Sequence, residues 1–199
     1  FGFKNKDFIF ATGFKSNIIQ KKTKKLFRYI KNVNFKTTNM VYTLNKVITN
    51  IKLDDILILY SDILFEKKCL NKILKDKRDV VTLIDTNWKK KWFKKKNYKD
   101  DLEELRIDGS KIKSLGKKVL KVKGIDGRFI GITKFSKNFL KFFYQKKIIK
   151  KILKENKKID FTNFLMKLIR LNKNVYAIKG NFDWNEFDTN YDFELHESS

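Results

Sequence analysis

Short aliphatic runs and stretches of helical periodicity alternate along the first half of the chain. DFIFATG (7–13) is predicted as a strand, and NIIQKKTKKLFRYI (17–30), with Ile18, Ile19, Leu26 and Ile30 at roughly helical spacing, as a helix that Ser16 caps. NVNF (32–35) is a short strand and MVYTLNKVI (40–48) a short helix. DDILILYSD (54–62) is a strand whose uninterrupted aliphatics predict full burial. EKKCLNKILKD (66–76) returns to helix and DVVTLID (79–85) to strand. Strands and helices joined by such short links predict an α/β unit around a mostly parallel central sheet.

Beyond residue 100 the pattern turns β-rich. LEELRIDGSKIKSLG (102–116) reads as a hairpin turning on Asp108-Gly109. RFIGITKFS (128–136) is a strand, and Ser136 caps one long helix over KNFLKFFYQKKIIKKILKEN (137–156). A helix over 161–171 and the strand NVYAIKG (174–180) follow. In FDWNEFDTNYDFELHE (182–197), Thr189, Asn190 and Asp192 predict a helix start just past Asp188. The chain has no proline, so these boundaries lack their usual punctuation.

At 199 residues and 42% hydrophobic, the composition suits one sizeable core, and the expectation is a single domain over 1–199. No apolar run is long enough to span a bilayer, and the opening FGFKNKDFIF lacks the apolar stretch of a signal peptide. The lone cysteine, Cys69, excludes an internal disulfide and fits a reducing, cytoplasmic setting. One cysteine and one histidine cannot build a zinc cluster, so a metal site here must use oxygen ligands, which points to Mg2+ or Mn2+. The net charge of +25 invites a nucleic-acid reading. Against it, only Arg28, Arg78, Arg106, Arg128 and Arg170 are arginines, and the lysines are spread over every predicted helix. No nucleic-acid partner is expected; the charge reads as a bland solvated lysine surface or as a generally basic one that also attracts small polyphosphates. The first residue is not Met and the first strand reads as an interior one, so the chain is expected to be a processed or truncated piece.

Asp62 stands at the carboxyl end of a predicted strand, where open α/β sheets place ligands. It is either a metal ligand or a cap or turn residue ahead of the helix near Glu66. Asp188 has a similar setting. Gly13 and Lys15 form a strand-end turn that suits an anion or serves only the turn, and the spacing is not that of a P-loop. Trp88 and Trp92 lie four apart behind Asp85, an arrangement that suits either an aromatic cage for a cationic ligand or packing on the sheet. Asp126 and Lys134 flank RFIGITKF, where Gly127 and Gly131 suggest close approach or unusual torsions. Cys69 and His196 read as structural.

FATGFKSNII, NFKTTNMVYTL, ILILYSDILF, VTLIDTNWKKKW, IDGRFIGITKFS and VYAIKGNFDWNEFDT follow in the order seen in nucleotidyltransferases. The line of segments, from about Asp7 to Asp192, resembles bacterial choline-phosphate cytidylyltransferases and the related phosphonate cytidylyltransferases. The resemblance implies a Rossmann-like nucleotidyltransferase fold with a β-rich acceptor-side insertion. It further implies transfer of CMP from CTP to phosphocholine or an aminoalkylphosphonate; sugar-phosphate nucleotidyl transfer and an inactive basic remnant are the alternatives. Under it Asp62 and Asp188 look like the two magnesium-binding, catalytic aspartates. Thr38, Asn39 and Met40 fall beside the nucleotide or the product-facing cleft, and the turn of Gly13 and Lys15 is expected to contact the nucleotide as well. Asp85, Trp88, Asp126 and Lys134 fall in the acceptor region. The family's glycine-rich loop precedes the first matching segment, so its first strand, loop and helix are expected to be missing from this piece.

Overall fold

A computed structural model of the chain describes residues 1–96 and 98–197. In chain order the first elements are β1 (Ile9–Thr12), α1 (Ser16–Lys22), β2 (Arg28–Lys31), α2 (Met40–Ile48), β3 (Ile56–Leu59), β4 (Ile63–Phe65) and α3 (Lys67–Lys75). There follow β5 (Val80–Asp85), α4 (Lys89–Trp92), β6 (Glu103–Asp108), β7 (Lys111–Lys118), β8 (Arg128–Phe135) and α5 (Lys137–Gln145). The last are α6 (Ile148–Glu155), α7 (Phe161–Arg170), β9 (Tyr176–Gly180), β10 (Trp184–Glu186) and α8 (Asn190–Glu197). The trace divides into two compact units, residues 1–53 with 141–164, and 54–140 with 165–199.

In the first unit β1 and β2 pair in parallel, Ile9 opposite Arg28 through Thr12 opposite Lys31. Helix α2 packs on both strands and on α6 through Val41, Leu44 and Ile48, which recur at the spacing of one helix face. The helix expected over 17–30 stops at Lys22. The Thr23 hydroxyl donates to the Ile19 carbonyl at 2.7 Å, and Lys24 and Lys25 take left-handed torsions (φ 51° and 54°). The released residues 28–31 form β2, so the strand falls there and not on NVNF, and the parallel ladder with β1 satisfies backbone groups that the helix would otherwise have paired. The long helix expected over 137–156 is likewise two helices, broken at Lys147, whose φ is 52°.

The second unit is built on a six-stranded sheet of order β3-β8-β5-β9-β7-β6. Every residue of β5 is buried, and α3 covers it with Cys69 and Ile73. Strands β5 and β9 are parallel, as the pattern predicts. Strand β8 arrives from later in the chain and lies antiparallel between β3 and β5, so the ladders around it are antiparallel rather than parallel. It also displaces β3 to the sheet edge, where Leu59 is exposed, whereas the aliphatic run predicts full burial. The expected hairpin forms as β6 and β7, with Gly109 at φ 58° in its turn. A small antiparallel ribbon pairs β4 with β10, Ile63 opposite Glu186.

Two glycines fix close approaches. A Cβ on Gly127 would lie 2.4 Å from the Ile84 side chain and 3.0 Å from the Asp85 carbonyl, so the entry to β8 can hug the end of β5 only with glycine. A Cβ on Gly13 would meet Phe35 at 2.8 Å.

Candidate active site

The β4–β10 ribbon extends by one step past its named ends, where the Phe187 N–H donates to the Asp62 carbonyl at 2.8 Å. This main-chain bond sets Asp62 beside the segment carrying Glu186 and Asp188, which comes from the far end of the sequence. Asp62 lies in the exposed turn between β3 and β4. It does not cap α3, whose N-cap is Glu66; the turn reading and the metal reading both stand.

Asp101, Glu186 and Asp188 each place a carboxylate oxygen within 4.8 Å of the other two. Asp62 is not in that group. Two cations are threaded through it. Lys95 Nζ stands 3.1 Å from Asp188, 3.5 Å from Asp192 and 3.9 Å from Glu186, with its side chain only 14% exposed. Arg128 reaches Asp101 at 2.5 Å and Glu186 at 3.8 Å, and also donates to the Asp101 carbonyl at 2.6 Å. Both cations lie over the ring of Trp92, Arg128 at 3.6 Å and Lys95 at 4.3 Å from its centroid. The Trp92 indole stacks on Trp184, and its own N–H is buried without an acceptor among the described residues.

Burial pushes the Glu186 carboxyl up to about 7; Arg128 pulls it back and Asp188 pushes it further. Asp192 is held rigidly at the start of α8, its Oδ2 accepting from the Asp188 N–H, the Thr189 N–H and the Thr189 hydroxyl. Four carboxyl groups (Asp101, Glu186, Asp188 and Asp192) thus face two cations, Lys95 and Arg128. All the donors are hard oxygens, the ligand type that Mg2+ and Mn2+ take, so the residues fit either ion. A cavity of about 340 Å3 adjoins the cluster, walled by Trp92, Lys94, Lys95, Trp184, Glu186 and His196. A more open hollow of about 490 Å3 lies over α3 and β9 beside Lys72, Lys75 and Arg78, and none of the clustered acids lines it.

Of the residues expected around the acceptor, Asp85, Trp88 and Lys134 are buried and Asp126 is exposed. Asp85 is fully buried and accepts from the Trp184 indole N–H at 3.0 Å and the Asn87 N–H at 2.9 Å. Trp88 is 1% exposed. That pair therefore takes the packing role its spacing also allows, and presents no face to a cationic head group. Asp126 is exposed, and its carboxylate accepts from the Ile107 N–H at 2.7 Å, tying the loop before β8 to β6.

Lys134 is 4% exposed, donates to the Asp76 carbonyl and lies 3.9 Å from Asp55. It sits opposite Val81, near the start of β5, whereas Arg128 sits opposite Asp85 at its end. Because β8 runs antiparallel, its first residue and not its seventh reaches the carboxyl end of β5. Sequence reading thus missed Arg128, Lys95, Glu186 and Asp101. The available signals were Arg128 directly after the Asp126-Gly127 turn, and Glu186 and Asp188 alternating in WNEFD.

In the first unit Lys15 takes a left-handed torsion after Gly13 (φ 50°), and its Nζ lies over Phe14. The Thr38 hydroxyl accepts from Asn32 at 2.9 Å and donates to the Asn34 carbonyl at 2.8 Å. Asn39 caps α2 through Met40 N–H, and Met40 is exposed.

No protein-family model matches the chain. The chain is 32% identical over 148 residues to CTP:phosphoglutamine cytidylyltransferase of Campylobacter jejuni, an alignment covering 71% of this chain. It spans 58% of that relative's length. Among solved structures, it matches the inositol-1-phosphate CTP transferase from T. maritima with a TM-score of 0.67 at 14% identity, over 93% of this chain and 72% of that one. It matches CTP:phosphocholine cytidylyltransferase from Streptococcus pneumoniae with a TM-score of 0.59 at 17% identity, over 92% and 72% respectively. The chain has the α/β Rossmann-like fold of the nucleotidyltransferases, a central sheet flanked by helices with a β-rich region.

Proposed function

We propose that the protein is a metal-dependent nucleotidyltransferase that moves CMP from CTP to the phosphate of a small acceptor and releases pyrophosphate. The observation that carries this reading is the Asp101, Glu186 and Asp188 cluster, set within a nucleotidyltransferase fold. CTP as donor rests on the Campylobacter relative. Sugar or polyol phosphates stand ahead of phosphocholine and aminoalkylphosphonates as acceptors, because Asp85 and Trp88, the pair suited to a cationic head group, are buried. A phosphorylated amide, as in the relative's name, is the third acceptor class.

Asp101, Glu186 and Asp188 would hold the divalent ion, with Asp62 as a further candidate one ladder step away. When bound, such an ion supplies neutralising charge for the phosphates of the nucleotide. The acceptor phosphate is already ionised, so its oxygen forms the new bond to the α-phosphorus in line as the bond to pyrophosphate breaks, with no general base and no covalent enzyme intermediate. Arg128 holds the Asp101 carboxylate, and Asp192 Oδ2, accepting from the Asp188 N–H, fixes the backbone that presents Asp188. Thr38, Asn39 and Met40 are proposed as nucleotide contacts on the resemblance alone, and Gly13 and Lys15 on the anion-suited turn they form.

The test is pyrophosphate release by the purified protein from each nucleoside triphosphate, with a sugar 1-phosphate, inositol 1-phosphate, phosphocholine, 2-aminoethylphosphonate and a phosphorylated glutamine amide as acceptors. Release from CTP with a sugar or polyol phosphate supports the reading. Release confined to phosphocholine or the phosphonate restores the cationic acceptor, and binding of the chain to nucleic acid without any release favours a basic remnant instead.

A further inference from the structure

We propose that Lys95 is a built-in counter-ion of the acid cluster, which a bound divalent cation displaces. The inference rests on reading the cluster as the place where that cation is held. Lys95 Nζ is within ion-pairing distance of three carboxylates, and the shortest contact, 3.1 Å, is to Asp188, one of the three residues with the metal-holding arrangement. A divalent ion sharing that carboxylate would lie close to the ammonium, and like charges at such separation repel strongly in a site shielded from solvent. One of the two cations in the cluster must therefore give way.

The geometry selects Lys95 over Arg128. Arg128 is fixed by two bonds to Asp101, one to the carboxylate and one to the carbonyl, and its guanidinium lies flat enough over Trp92 to bring its central carbon within 3.6 Å of the ring centroid. Lys95 is a compact charge on a flexible stem, with one hydrogen bond, to Asp188, and two longer ion pairs. It sits beyond the end of α4, and the cavity beside it, which Lys95 itself lines, offers space into which the side chain can turn. Asp192 cannot follow, because three hydrogen bonds to its Oδ2 hold it at the start of α8. Lys95 thus keeps the clustered carboxylates apart from one another's repulsion before the cation arrives, at a cost in cation affinity. Its position over the Trp92 ring supplies a spectroscopic reporter of the exchange.

The experiment measures Mn2+ binding directly, by electron paramagnetic resonance of the free ion, in the unmodified protein and in Lys95→Met, Lys95→Gln and Lys95→Arg. The neutral variants remove the competing charge and are expected to bind Mn2+ about tenfold more tightly, whereas Lys95→Arg stays near the unmodified affinity. Mg2+ is expected to change tryptophan fluorescence in the unmodified protein, and this change is lost in Lys95→Met. Equal or weaker Mn2+ binding by both neutral variants, with unchanged circular dichroism, overturns the displacement and leaves the cation site standing. If no protein binds Mn2+, the cluster is not a cation site and the proposal falls with it; pyrophosphate release from CTP then decides separately whether the transferase reading survives.

Discussion

The carboxylate of Asp188 meets Lys95 at 3.1 Å, while that of Asp62, joined to the same segment by a main-chain bond, lies exposed and outside the cluster. Asp188→Asn removes an anionic oxygen from the cluster and is expected to lower turnover at least about 100-fold with little change in melting temperature. Unchanged turnover per folded molecule would make Asp188 a partner of Lys95 alone. Asp62→Asn sorts the fourth candidate: a comparable loss enrols its side chain, and full activity leaves only its carbonyl in use. For Lys134, buried at the other end of β8, Lys134→Met is expected to lower stability while acceptor KM stays within about twofold. Asp76 provides a pH dependence. Hydrogen bonds from the Arg78 guanidinium hold its carboxyl below the ordinary carboxylate range. Its folded pKa lies below its unfolded one, so the stabilisation is complete above the ordinary carboxylate range and is lost as pH falls through the depressed value. Urea titrations of the unmodified protein and Arg78→Met are therefore expected to differ at neutral pH and to converge in acid.

Two helices end where the sequence pattern would have continued them. Helix α1 yields to the β1–β2 ladder, and α5 and α6 separate at Lys147, where a side chain in the left-handed region costs roughly 1 kcal/mol. Lys147→Gly removes that strain and is expected to raise stability by up to about 1 kcal/mol in denaturant unfolding. A decrease would show that the Lys147 side chain contributes more than its torsion costs. At α2 the side chain of Asn39 caps the helix, so Asn39→Ala is expected to cost about 1 kcal/mol and Asn39→Ser to recover most of it. A loss of CTP affinity that serine does not restore would be the separate mark of a nucleotide contact. The direction of β8 has the widest consequence at this scale, because it delivers Arg128 rather than Lys134 to the end of β5 that carries Asp85.

Across the whole molecule the +25 charge is self-repulsive, so melting temperature is expected to rise from low to physiological salt as the surface lysines are screened. A fall would indicate that ion pairs such as those of Arg78 and Arg128 outweigh the repulsion. Among the described residues no helix is long and apolar enough to cross a membrane. The α/β class, the β5 and β9 strands, helix α2, the hairpin turn at Asp108-Gly109 and the helix start past Asp188 were all legible in the sequence, because each follows from local periodicity, capping or turn chemistry. So was the interest of Asp188, since an acid beside a strand and ahead of a helix start is a local pattern. The placement of β8 between β3 and β5, the burial of Trp88 and Asp85, and the meeting of Asp101, Lys95, Arg128 and Glu186 were decided only by the tertiary structure. Strand order and direction are set by long-range pairing energies to which no local pattern responds, and a carboxylate cluster with its counter-ions exists only once segments far apart in the chain share one neighbourhood.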